Sequence, residues 1–152
     1  MKASIVEQPA LRLITAKSKC FREGNREAMR PIESRLDSLN GRRFYGLVYE
    51  STDRMEYFAG LVPHDVEEEQ RFVQLGFTMM EVGGGVCARV KLLDWSSTID
   101  QIGPTFGAMI REYGMDTSRP QMEFYRSMTE LHLLLPMKSD ETGASDSVNR
   151  LG

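Results

Sequence analysis

Residues 120–138 read PQMEFYRSMTELHLLLPMK. In Gln121–Tyr125, Met122 and Phe124 point one way and Glu123 and Tyr125 the other; in Met128–Met137, Leu131, Leu133 and Leu135 share a face opposite Glu130, His132 and Leu134. Alternation on both sides of a short polar break predicts an antiparallel hairpin. An earlier stretch, residues 44–62, has the same layout: FYGLVYES and MEYFAGLV joined by Thr52-Asp53-Arg54. Tyr49-Glu50-Ser51 aligns with Tyr125-Arg126-Ser127, and Met55-Glu56 with Thr129-Glu130.

Each hairpin is preceded by a helical pattern. Met29, Ile32, Leu36 and Leu39 predict an amphipathic helix over 25–39, with Asn25 as cap, Asn40-Gly41 as stop, and Pro31 either kinking it or marking its first turn. Ile99, Ile102, Phe106, Ile110 and Tyr113 predict the buried stripe of a second helix over 97–113, with Thr98 and Gln101 at capping-box spacing. Each helix follows two strand-like runs: residues 4–19 broken at Pro9, and Phe77–Val82 with Val86–Leu93 around Gly83-Gly84-Gly85. The acidic run Glu67–Glu69 reads as a solvated connection. Glu7 and Glu81 lie 74 residues apart, and Pro31 and Pro104 lie 73 apart. Self-similarity at one period over several elements predicts an α+β tandem duplication, strand-strand-helix-strand-strand twice. Its halves cover about 1–70 and 71–138, and 139–152 (SDETGASDSVNRLG) reads as a disordered tail.

Composition narrows the function. The chain has 152 residues, 41% of them hydrophobic and 27% charged, which suits one folded domain. It has no apolar run of membrane-spanning length and no signal-peptide pattern, so the expectation is a cytoplasmic protein with no membrane partner. Cys20 and Cys87 lack zinc-ligand spacing, and no metal or cofactor is expected. Residues 1–43 carry ten Lys/Arg against five Asp/Glu. Their signs alternate at helical spacing from Arg22 to Asp37, a solvated face rather than a nucleic-acid surface. Neither His64 nor His132 has a Ser or Cys partner in a nucleophile motif. The triglycine lacks the Lys-Ser/Thr ending of a phosphate loop and reads as a bulge or tight turn. Glu123, a carboxylate among aromatic and apolar neighbours, either faces solvent on an open sheet or lines a cleft. In a cleft it would attract a lipophilic cation.

VEQPALRLITAK, YGLVYES with MEYFAGL, FTMMEVGGGVCARV, STIDQIGPTFGAMIREYG and PQMEFY with ELHLLLPMK together resemble the GyrI-like, or bacterial transcription activator effector-binding, domain family over residues 3–138. The resemblance implies a curved antiparallel sheet with two helices on one side and a central ligand groove. It implies Glu123 as the carboxylate engaging lipophilic cations, with Trp95, Tyr125 and Tyr49 as aromatic walls and His132 and Phe106 as further lining. The family's members are attached to DNA-binding modules or free-standing, some encoded in integron cassettes. No such module is evident here, so the expected role is a stand-alone sensing or sequestering domain that regulates through a protein partner if at all. Two alternatives stay open: hydrolysis of a reactive small molecule by Glu123 with Tyr49 or Tyr125, and a protein-interaction role of the gyrase-inhibitor kind. An exposed FYGLVYES edge predicts pairing into a homodimer. Ten methionines suit an adaptable apolar cavity.

Overall fold

A computed structural model describes residues 2–51 and 54–138. Thr52 and Asp53 of the first hairpin, and the stretch 139–152 expected to be disordered, lie outside the described residues. Eight strands form one antiparallel sheet curled into a half-barrel: β1 Ser4–Gln8, β2 Leu11–Lys17, β3 Phe44–Ser51, β4 Arg54–Leu61, β5 Thr78–Val82, β6 Gly85–Leu93, β7 Gln121–Tyr125 and β8 Glu130–Pro136. Their order is β1-β6-β8-β7-β3-β4-β2-β5. Exchanging the first four strands for the last four reverses this order into itself, the topological mark of the duplication. The register repeats as well, since Ile14↔Leu61 recurs as Ala88↔Leu135, both partners 74 residues on.

The two strands on either side of Pro9 do not pair with each other. β1 joins β6, and β2 lies between β4 and β5. The links β1–β2 and β5–β6 therefore cross, and Gly84 sits at the crossing. A Cβ there would lie 2.6 Å from the Gln8 carbonyl oxygen and 2.7 Å from the Ala10 nitrogen. The backbones can approach this closely only because the residue lacks a side chain.

Strand alternation sorts the core into two faces. On one face Ile14, Val48, Ala59 and Leu61 pack with Ala28, Ile32 and Phe72 from helical segments, and Ala88, Leu131, Leu133 and Leu135 pack with Phe106 and Met109. On the other face Leu13, Tyr45, Leu47, Met122 and Leu134 are buried by the curl of the sheet, with no helical residue in the cluster.

The helices depart from the sequence expectations. The first is a 3-10 turn at Arg26–Met29 running into one α-turn, α1 Arg30–Glu33, and does not reach Leu39. Pro31 marks the start of α1, where a missing N–H costs nothing, and Asn25 accepts from the Arg22 N–H instead of capping. The acidic run is not a connection but the first turn of a third helix, α2 Val66–Gln74, capped by Asp65 and seated through Phe72. Acids in a first turn favour the helix N-terminus. In α3, Ile102–Tyr113, Phe106 and Met109 are the buried residues, while Ile110 is 37% exposed. The Thr98–Gln101 capping box does not form, because the Thr98 hydroxyl is turned toward the Asp94 carbonyl. FYGLVYES is not an edge: β3 is hydrogen-bonded on both sides, and the free edges are β1 and β5. Among the described residues no helix is long and apolar enough to cross a membrane.

Candidate functional site

The two halves meet where β3 pairs with β7. Gly46 stands opposite Glu123, between the pairs Phe44↔Tyr125 and Val48↔Gln121. The strand register maps Phe44 onto Gln121 and Val48 onto Tyr125, so the pseudo-twofold axis passes through the Gly46–Glu123 pair. One copy of this position carries a carboxylate and the other carries nothing. The space over Gly46 is filled by Tyr57, whose hydroxyl would be 2.2 Å from any Cβ at that position. A glycine inside a strand commonly marks such an approach.

From this position the Tyr57 hydroxyl lies 3.4 Å from Glu123 Oε1, and the Tyr125 hydroxyl donates to the same oxygen at 2.5 Å. The two phenol oxygens are 3.1 Å apart. Because the Tyr125 proton is committed to the carboxylate, the Tyr57 proton goes either to Glu123 or to the Tyr125 oxygen. Trp95, in the turn after β6, rests its ring edge-on against Tyr125 at 5.2 Å and donates its indole N–H to the Ser127 carbonyl. Phe106 packs from α3 in the same cluster as Trp95 and Tyr125.

Glu123 is 7% exposed and Tyr57 3%. Neither forms an ion pair with a described residue. Burial raises the Glu123 carboxyl above its ordinary value, and the Tyr125 and Tyr57 hydrogen bonds only partly oppose that. Both phenols are held well above their usual value, first by burial and then by the adjacent carboxylate. Among the described residues no group of three metal-ligating side chains comes together.

Of the six residues read from the sequence, Glu123, Tyr125, Trp95 and Phe106 lie on the helix-bearing face. Tyr49 does not. It points to the other face, edge-on to Phe58 at 5.8 Å, because the alignment that matched it to Tyr125 was one residue out of register. His132 also points to that face, between Phe124 and Glu130. The phenol from the first half is Tyr57, missed in the sequence. Gly46 in the middle of an apolar strand was the available signal.

No family model and no curated protein matches the chain. Solved structures do. SAV2435 bound to tetraphenylphosphonium is 12% identical, with a TM-score of 0.64 over 93% of this chain and 97% of that one. The integron cassette protein VCH_CASS2 from the mobile metagenome of Vibrio cholerae is 12% identical, with a TM-score of 0.63 over 90% and 95%. A hydrolase from Listeria innocua is 14% identical, with a TM-score of 0.57 over 90% and 92%. At these identities the likeness is one of fold.

Proposed function

We propose that the chain is a small-molecule-binding domain of the GyrI-like kind that holds a lipophilic cation against Glu123. The observation that carries this reading is a nearly buried carboxyl group whose only partners among the described residues are two phenol hydroxyls, with aromatic rings around it. A charge buried without a counterion is costly, and a bound cation removes that cost. Tyr57, Tyr125 and Trp95 would add cation–π and apolar contact. Both phenol contacts go to Oε1, which leaves Oε2 to meet the ligand. The similarly folded SAV2435, bound to tetraphenylphosphonium, adds support.

Isothermal titration with tetraphenylphosphonium and with neutral triphenylphosphine oxide tests the reading. Glu123→Gln is expected to weaken the cation by about 1–3 kcal/mol, roughly fivefold to 150-fold, and to leave the neutral compound nearly unchanged. Equal binding of the cation by wild type and Glu123→Gln would sink it.

The 2.5 Å phenol–carboxyl contact favours a second reading, proton transfer in a hydrolase, with Glu123 as base and Tyr125 as acid. Turnover of an activated small ester that disappears in both Glu123→Gln and Tyr125→Phe would favour it. Saturable binding without turnover favours capture.

A further inference from the structure

A cavity of about 310 Å³ opens between the loop after α1 and the first turns of α2, and none of the residues around Glu123 lines it. We infer that it binds a small oxyanion, a phosphate or carboxylate group carried by a small molecule. Its floor is a closed ion pair. The Arg42 and Glu68 side chains are 5% and 10% exposed, and Arg42 donates to both Glu68 oxygens and to the Val62 carbonyl. Glu68 also accepts from the His64 backbone N–H at 2.9 Å. Its charge is thus answered within the fold.

Two further guanidiniums line the cavity. Arg71 has a 56% exposed side chain, lies against the Phe72 ring and forms only a long ion pair with Glu68, 3.6 Å and beyond hydrogen-bond length, so its N–H groups stay open to a ligand. Arg35 makes no ion pair among the described residues. Beside them, the Ser38 hydroxyl accepts from the Asn40 N–H, which leaves its own proton to donate, and the Asn40 amide adds N–H donors. In the lining, Asp37 is the one carboxylate without an ion pair among the described residues.

This chemistry selects the ligand class. Leu36 is the one apolar side chain in the lining, so a greasy ligand gains little, and an excess of guanidinium repels a cation. Planar guanidinium forks match the spacing of carboxylate and phosphate oxygens, and hydroxyl and amide donors complete such a shell. The site is independent of the Glu123 reading.

The test is a two-dimensional amide NMR titration of the full chain with inorganic phosphate and, separately, with acetate, holding ionic strength constant with sodium chloride. Saturable shifts are expected in residues 35–42 and 64–71. Arg35→Gln and Arg71→Gln should each weaken binding by about threefold or more, and Asp37→Asn should tighten it by about twofold. Glu123→Gln should leave the titration unchanged. Saturation by phosphate alone assigns a phosphate-bearing ligand, and saturation by acetate alone assigns a carboxylate. Shifts that merely follow sodium chloride, or that survive the double Arg35→Gln/Arg71→Gln variant, overturn the inference.

Discussion

Gly46 shows how one residue without a side chain builds a site. Tyr57 reaches Glu123 only by crossing the space that a Cβ at position 46 would occupy. Gly46→Ala is therefore expected to displace Tyr57 and destabilise the fold by about 1–3 kcal/mol. Urea unfolding compared with Tyr57→Phe measures this, and a melt equal to wild type would show that Tyr57 has room to spare. Glu123 yields a prediction with a definite sign. Its carboxyl is raised in the folded chain, so the folded state keeps the proton to higher pH than the unfolded state does. Stability then falls as pH rises from the ordinary glutamate value through the raised one, and the deficit persists above it. Ligand-free Glu123→Gln should be more stable than wild type at neutral pH and should lose that pH dependence. Tetraphenylphosphonium affinity should fall as pH drops through the raised value, because the neutral acid no longer answers the cation. Denaturant melts and titrations over a pH series check both.

At the scale of the element, α2 carries the opposite electrostatic lesson. Its Glu68 looked like part of a solvated acidic run, yet the side chain turns inward to Arg42, which holds its carboxyl below the usual range. The stability from this pair is present above the ordinary carboxylate value and lost as pH falls through the lowered one. Glu68→Ala would leave Arg42 buried and uncompensated, at an expected cost of about 3–5 kcal/mol by urea unfolding. Glu67→Ala, on the exposed side of the same turn, should cost little. No periodicity separates Glu67, Glu68 and Glu69. What distinguishes them comes from other segments: Glu69 is bound by Arg12, 57 residues earlier, and Glu68 by Arg42, 26 residues earlier.

At the scale of the molecule, crossing the β1–β2 and β5–β6 links ties the two halves together. Each half lends an outer strand to the other's sheet, β1 to β6 and β5 to β2. Gly84→Ala should therefore destabilise the whole chain cooperatively, since its Cβ meets backbone atoms that cannot rotate away. Gly83→Ala, where a Cβ meets nothing within 4 Å, is the matched control. Thermal unfolding of the pair, with Gly84→Ala several degrees below Gly83→Ala, checks the crossing; equal midpoints would argue against it.

The sequence by itself determined what is local or periodic. Alternation identified the strands, a 74-residue repeat declared the duplication, and Glu123 stood out as a carboxylate among aromatic neighbours. Tertiary structure decided what depends on register and on distant partners. Tyr49 and Tyr57 are equally plausible aromatics on paper, but strand side chains alternate faces, so a one-residue error in aligning the halves sends Tyr49 to the wrong side. The outer strands pair with the opposite repeat rather than across Pro9, and Glu68 finds Arg42 across the fold. Such pairings are set by which surfaces bury together once the chain has closed its long loops, and a local pattern carries no record of them.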